Sequence, residues 1–507
     1  MYGTSLKITP TLNGFETSGP LSARFGLHPK GPQKPDPSPA GWSWDGAELD
    51  AWTDRLGFVP VFYGVIPHDR SLVVGNNPLD MIELGVSRAA DDRAIAAFLR
   101  LGYFLGEDTP FQHMRALPPG GRLRWSGQEP RVSGGHLPTP ESERQPASRD
   151  DAMDQYIELF RAAIQYRLPG DDGYLLPLTG GRDSRHILLE LLRQGRPPER
   201  CLTVRPHPGA RIDEAGFAAE LAERFGLQHV SVVPKRPMIA CEFVKNRHTG
   251  LLTDEGPWAM MLRDHIAQAH PGSTRLAYDG IAGDSLSAST FLTPARDAMY
   301  RSRDFDGIIA SLTPLTAQES AIQSMLPRSL QDRLGYAVAR ERMIDELERH
   351  TEAANPFGMF IFWNRTRREI ALVPHLLMQG VCDFHTPFLD DDLFDFLSGL
   401  NVQKFRLDGG LHQDVIDRAY PEAKNIPYFQ KGMGRAGRLP AGAIELLRAI
   451  PQLIAWQLRH DPQHASLTVR WAATRLTDRN ATRTAPRRMV QYFAHLLSIA
   501  SFDRETT

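Results

Sequence analysis

The alternation of apolar and polar positions changes character near residue 140. Before it, FVPVFY at 58–63 and SLVVG at 71–75 are short apolar runs with turn-formers between them, the pattern of paired strands. Ala94 to Leu101 reads as a short helix, and LPPGGRLRW at 117–125 as a turn feeding another strand. The prolines between Leu27 and Trp42 deny backbone donors and helical geometry, so this stretch predicts a surface loop or a disordered insertion. Pro138 to Arg149, PTPESERQPASR, is polar and proline-bearing, which marks a linker. Beyond it the rhythm becomes strand, glycine turn, helix. Tyr174 to Leu178 is a buried strand candidate, and Ser184 to Arg193 follows with Leu188, Leu191 and Leu192 on one helical face. Further strands are expected at Leu202–Val204, Val230–Val233 and Leu276–Tyr278. Ala218, Leu221, Ala222 and Phe225 form a second helical stripe. Strands alternating with helices predict a parallel α/β sheet. The remainder is helical in pattern, and no repeat of solenoid type occurs.

Composition narrows the class. The chain has 507 residues, which at roughly 150 residues per domain allows two to four domains. With 41% hydrophobic and 23% charged residues it reads as a soluble globular protein, and a net charge of −2 gives no basis for a generic nucleic-acid or membrane binder. Cys201, Cys241 and Cys382 are far apart, with no metal-ligand spacing, which fits a reducing, cytoplasmic setting. The N-terminal stretch lacks the basic start and apolar run of an export signal. No segment approaches the ~20 apolar residues that span a bilayer.

Two glycine-rich acidic turns carry the candidate chemistry. Leu178-Thr179-Gly180-Gly181-Arg182-Asp183-Ser184 lies between an apolar strand and an amphipathic helix. Bare glycine N–H groups, a helix N-terminus and the Thr179 and Ser184 hydroxyls make an anion cradle whose natural guest is a phosphate. It is not a Walker loop, because GxxxxGK[ST] is absent. An acid inside a phosphate site repels its guest unless a divalent cation intervenes, so Asp183 reads as a magnesium ligand. The plainer alternative is a Gly-Gly turn with an Asp helix cap. Tyr278-Asp279-Gly280-Ile281-Ala282-Gly283-Asp284-Ser285 again ends an apolar strand. At the carboxyl ends of parallel strands the two turns face one crevice, where Asp183 and Asp284 would share a metal.

Thr179 to Ser184 resembles the SGGxDS pyrophosphate loop of the asparagine synthetase family, with Thr179 in place of the first serine. The spacing to Asp284 is similar to that family's. Thr386-Pro387-Phe388-Leu389-Asp390, preceded by RTRREI at 365–370, resembles its PFLD segment, and PEAKNIPYFQKG at 421–432 the segment with its late catalytic lysine. Gly102 to Leu123 resembles the end of its glutaminase domain. The resemblance implies a degenerate Ntn-type glutaminase-like αββα domain over 1–140 and a PP-loop ATP-pyrophosphatase (synthetase) domain, α-hydrolase-like, over 150–507. It further implies ATP and Mg²⁺ as cofactors. Thr179, Gly180, Gly181, Asp183, Ser184 and Gly280 would hold the nucleotide, and Leu178 and Val204, otherwise plain core residues, would line the adenine pocket. Asp183 and Asp284 would hold Mg²⁺. Lys431 would stabilise developing negative charge, unless it is a solvated loop lysine. Asp383, in place of the family's glutamate before PFLD, would act as general base, or would instead form a salt bridge or cap.

Departures from the family refine the expectation. Glutamine-hydrolysing members place a cysteine directly after the initiator Met, where this chain has Tyr2. The front domain is therefore expected not to release ammonia, as in β-lactam synthetases and lasso-peptide cyclases, which use an amine already present in the substrate. Ile281 replaces a glutamate or tyrosine and Ser285 a second acid. The family's lysine some twenty residues before the late one is missing, with Gln413 and His412 nearby, the latter expected at the surface or, alternatively, to take over a phosphate contact. The expected function is amide formation through an adenylate, on a small molecule or peptide carrying a carboxylate and an amine, with macrolactam formation favoured. An asparagine synthetase using ammonia, a non-catalytic nucleotide-binding regulator and an RNA-modifying enzyme are the alternatives. Seven arginines between Arg459 and Arg488 face only Asp461 and Asp478, which suits a solvated helix face or the binding of a precursor or leader peptide.

Overall fold

The computed structural model describes residues 3–27, 39–205, 214–235, 238–288, 291–312, 319, 322–323, 326–429 and 487–502, with isolated positions between 451 and 469. Tyr2, Lys431 and most of the arginine-rich stretch lie outside the described residues.

The front half contains two five-stranded antiparallel sheets. One is built from β1 (Ser5–Thr11), β2 (Gly14–Ser18), β6 (Phe62–Ile66), β7 (Ser71–Gly75) and β8 (Met114–Ala116), in the order β2-β1-β7-β6-β8. The other comprises β3 (Ser22–Phe25), β4 (Ala40–Trp44), β5 (Leu49–Trp52), β9 (Arg122–Trp125) and β10 (Arg131–Ser133), in the order β10-β9-β5-β4-β3. Leu6, Ile8, Trp42, Leu49, Leu72, Val74 and Leu123 fill the space between them. On the outer face of the first sheet lies the helix Asp92–Leu101, capped by the Asp91 carboxylate and ended by Gly102 at φ 86°. On the second sheet exposed Arg122 and Arg124 alternate with buried Leu123 and Trp125, so its outer face is polar there, and among the described residues no helix is packed extensively on it. That face looks across a cavity of about 630 Å³ onto His385 and Thr386. The strand expected over 58–63 begins only at Phe62. Pro60 cannot donate to a ladder, and Phe58 leaves the sheet to pack on Phe362, ring centroids 5.1 Å apart.

The back half is organised by a five-stranded parallel sheet. Its strands are β11 (Leu175–Pro177), β12 (Arg200–Val204), β13 (His229–Val232), β14 (Arg275–Tyr278) and β15 (Cys382–His385), in the order β13-β12-β11-β14-β15. Four of them match expected strands; β15 falls in a region expected to be helical. Helices Arg149–Gln165, Asp183–Arg193 and Glu214–Arg224 cover one face through Leu176, Leu178 and Tyr278, while Ala259–Ala269 covers the other through Leu175, Leu202 and Ala277. Ser148 opens the first of these helices with a reciprocal capping box to Asp151, at the end of the linker-like segment.

The halves share a core. Phe98, Tyr103 and Phe104 of the front pack with Leu252, Tyr300, Phe360 and Tyr492. The RTRREI segment clamps them together, with Arg367 donating to the Gly106 carbonyl at 2.7 Å and Arg368 to that of Asp108 at 2.5 Å. Among the described residues no helix is long and apolar enough to cross a membrane.

Candidate active site

Chain order along the parallel sheet reverses beside β11. The chain runs from β11 outward to β12 and β13, then returns to place β14 on the other side of β11. Turns leaving the carboxyl ends of two such strands border one crevice. The two acidic glycine turns occupy this place.

The helix Asp183–Arg193 begins without a side-chain cap, so its first N–H groups are not taken by a capping side chain. The turn before it is braced internally: the Thr179 N–H donates to Ser184 Oγ at 3.0 Å, and the Gly181 N–H to Thr179 Oγ1 at 3.1 Å. Gly180 has no room for a side chain, since a Cβ would lie 2.6 Å from that of Phe429 and 2.9 Å from that of Phe217.

The second turn closes directly on Asp183. A Cβ on Gly280 would lie 2.6 Å from the Asp183 Cβ, and one on Gly283 would lie 2.5 Å from Asp183 Oδ1. Between them Ala282 adopts φ 74°, a left-handed conformation costly for a residue with a Cβ. Gly280→Ala is thus expected to cost about 1–3 kcal/mol of stability through overpacking against backbone as well as side chain. By displacing Asp183 it should also cut ATP-dependent turnover about 10²-fold. Denaturant unfolding and steady-state kinetics of that variant check both; wild-type behaviour would refute the close contact.

The electrostatics are those of an acid cluster short of positive charge. Burial and then the Asp284 carboxylate push the Asp183 carboxyl well above the usual range, with Asp279 adding to the effect and Arg182 opposing it. The side chain is 28% exposed, yet its Oδ1 is sealed and has no hydrogen-bond partner. Burial pushes Asp279 up to about 6, although its Oδ1 accepts the Ile281 N–H at 2.8 Å. The nearest histidine supplies no charge: His412 Nδ1 stands 3.5 Å from Asp183 Oδ1, but burial, with Arg182 adding, pushes its pKa down to about 3. Contrary to the surface position expected of it, His412 is fully buried, and its Nε2 bonds His186 Nδ1 at 3.1 Å. The aromatic cage of Phe160, Tyr156 and Phe388 around these two rings has no counterpart in a periodicity argument. A hard divalent cation fits this oxygen donor set and would relieve the repulsion.

The chain after Pro421 is fastened to the first glycine turn. Arg185, fully buried, donates to the carbonyls of Ile426 and Pro427, each at 2.7 Å, and its guanidinium sits 3.7 Å from the Tyr428 ring centroid. The Phe429 N–H then donates to the Gly180 carbonyl at 2.9 Å. This delivers the chain to the turn two residues before Lys431, itself outside the described residues. Arg182 donates to Gln413 Oε1 at 3.1 Å. Asp279, Arg182 and Arg185 were not singled out from the sequence. The only sequence signal for them was their place in or beside the two glycine turns.

Other candidates fall elsewhere. Leu178 is wholly buried in the sheet core, offering a backbone carbonyl to Thr203, and Val204 is half-buried at the end of β12. Asp383 is not brought to the acid cluster. On the outermost strand it pairs in register with Leu276, its side chain exposed, two residues before His385, whose carbonyl accepts the Asp279 N–H. Asp390 of the PFLD segment accepts Arg167 Nη1 at 2.9 Å and caps the next helix. Ile281 is buried in the core, and Ser285 is bonded to the Ala282 carbonyl and to Thr366.

A family model described as asparagine synthase matches residues 155–411, which include both acidic turns and the PFLD segment. No curated protein matches the chain.

Proposed function

Since the chain belongs to the asparagine synthase family, whose members are ATP-dependent amide-forming ligases with Mg²⁺ typical, we propose that it adenylates a substrate carboxylate and couples it to an amine, releasing AMP and pyrophosphate. The observation that carries this reading is Asp183: a carboxylate set between an uncapped helix N-terminus and Asp284, with a sealed oxygen that no described residue satisfies.

In this reading the Thr179–Ser184 turn and the first N–H groups of the helix Asp183–Arg193 receive the phosphate oxygens. Bound by Asp183 and Asp284, Mg²⁺ would supply positive charge for the pyrophosphate group. The substrate carboxylate oxygen attacks the α-phosphorus, the bond to pyrophosphate breaks, and the acyl-adenylate stays held where the amine can reach its carbonyl carbon. The amine then forms the C–N bond, loses a proton and expels AMP. Lys431 would stabilise the negative charge of these transition states. Holding both reacting groups in one crevice is the larger part of the task.

We further propose that residues 1–140 are the degenerate glutaminase-like domain and 150–507 the synthetase domain, and that the amine belongs to the substrate itself, as in macrolactam formation. Supporting this, all three cysteines are buried in the back half, and burial pushes Cys201 and Cys382 up to about 12, so neither serves as a thiolate nucleophile. The arginines of 459–488 would suit an acidic precursor or leader peptide.

ATP–pyrophosphate exchange across a panel of small and peptide carboxylates tests the proposal. Exchange that requires both Mg²⁺ and a carboxylate is the expected result, and a product lighter than its substrate by one water identifies macrolactam formation. ATP binding with no exchange on any carboxylate would overturn the ligase in favour of a nucleotide-binding regulator, a reading that Ile281 and Ser285 favour by removing two of the family's polar groups from the second turn.

A further inference from the structure

Away from the crevice, where the front half meets the helix Tyr336–Glu348, two histidines and a glutamate converge, each with a polar atom unused among the described residues. Among the described residues His136, Glu346 and His350 are the one group of at least three histidine, cysteine or acidic side chains whose ligand atoms all lie within 4.8 Å of one another. His350 Nε2 is 3.4 Å and His136 Nδ1 3.9 Å from the same Glu346 oxygen, Oε1. Both nitrogens and that oxygen are sealed from solvent and lack a hydrogen-bond partner. We propose that His136, Glu346 and His350 form a site for one divalent transition-metal ion of the zinc class, joining the segment after β10 to the end of the helix Tyr336–Glu348.

The surroundings orient the three groups. Trp363 stacks on the His136 ring with centroids 5.2 Å apart, which fixes the ring's plane. His136 Nε2 lies 3.9 Å from Glu107 Oε1, beyond hydrogen-bond distance, so either ring nitrogen can carry the proton and Nδ1 is open to a ligand role toward Glu346. Glu346 divides its two oxygens. Oε2 accepts Arg342 through Nη1 and Nη2, both at 3.1 Å, and Arg349 Nη1 at 3.3 Å, leaving Oε1 to the histidines. Glu346 and His350 lie four residues apart, the spacing that sets two side chains on one face of a helix.

Two features set the affinity. Arg342, Arg349, Arg367 and Arg368 surround Glu346, Glu107 and Asp108, an excess of one positive charge that weakens a cation site. Against it, two neutral imidazoles and a carboxylate suit zinc, which is bound through three protein ligands and a water in many sites. Ligand atoms 3.4 and 3.9 Å apart are near the separation required around a tetrahedral ion with bonds of about 2 Å. The alternative occupant is a single buried water bridging the same three groups.

The test is Co²⁺ titration of the full, tag-free, chelator-stripped chain, which does not depend on the ATP reading. About one equivalent of Co²⁺ should bind with the visible absorption of a nitrogen-ligated tetrahedral ion and be displaced by Zn²⁺. Asp183→Asn, which touches only the oxygen site, should leave that absorption unchanged. His136→Gln and His350→Gln should each abolish it while keeping the wild-type circular dichroism. A wild-type chain without the absorption holds water alone, and absorption that persists in both glutamine variants comes from other ligands; either overturns the proposal. Should a variant not fold, X-ray absorption of the loaded wild type decides: imidazole scattering supports the site and an all-oxygen shell overturns it.

Discussion

Asp183→Asn is expected to lower ATP–pyrophosphate exchange by at least about 10²–10³-fold, the loss that follows removal of one charge-stabilising group from a reacting centre, while making the Mg²⁺-free protein more stable. Both halves of the prediction come from the same geometry. Asp183 sits against Asp284 and Asp279, with burial and like charge holding its carboxyl well above the usual range against the opposing Arg182 and the Asp284 backbone N–H. An amide of the same shape keeps the contacts with Gly280 and Gly283 but removes the repulsion. Relief of such a site stabilises by about 1 kcal/mol. Because the folded pKa is raised, protonated Asp183 stabilises fully below its unfolded value of about 3.9, and that contribution fades as pH rises through the folded value. The gain from Asn should accordingly be absent at the acid end and grow toward neutrality. Thermal unfolding across that range, with and without Mg²⁺, separates the effects: Mg²⁺ should stabilise the wild type and leave the variant nearly unmoved. A variant less stable than wild type at pH 7 without Mg²⁺, or one retaining exchange, would show that Asp183 is a structural cap and not a charge held for a ligand.

Asp183 and Asp284 could be read as neighbours because each follows a strand-like apolar run and a glycine pair, and parallel sheets bring such turns together. What could not be read was anything set by distant packing. β15 escaped notice since Cys382–His385 is four residues long, with an aspartate and a histidine that break its apolar pattern, and it becomes a strand only because β14 offers it an edge. His412 looked like a surface histidine beside Gln413, whereas Tyr156, His186 and Phe388 bury it from three other elements. In the second front sheet a polar outer face is visible in the strands themselves, where Arg122 and Arg124 alternate with apolar residues. Asp383 illustrates the reverse limit. Its motif position suggested a base, but the sheet's register sets its side chain on an exposed edge, short of the end where the acids meet.

The second large effect is expected at Arg185, which touches no reacting atom in the proposed scheme. Its guanidinium spans the Ile426 and Pro427 carbonyls and lies on Tyr428, and the next residue, Phe429, bonds the phosphate turn. Lysine offers one compact charge where a planar fork is needed, so Arg185→Lys should lose one of the two carbonyl bonds and the stacking, about 1.5–3 kcal/mol of stability for a charged buried donor. Arg185→Met removes the buried charge together with its bonds and should cost less stability than lysine does, since burial already pushes this guanidinium's pKa down. Both variants should nonetheless lower kcat about 10²-fold with a smaller change in the ATP KM, because each releases the segment that, in the proposed scheme, leads to Lys431. That pattern marks a positioning residue only if it disappears when there is nothing left to position. Lys431→Met should lower kcat by at least as much, and Arg185→Met/Lys431→Met should be no slower than Lys431→Met alone, a coupling that a double-mutant cycle measures directly. Additive losses would mean that Arg185 acts on stability in general, and that residue 431 finds its place by another route.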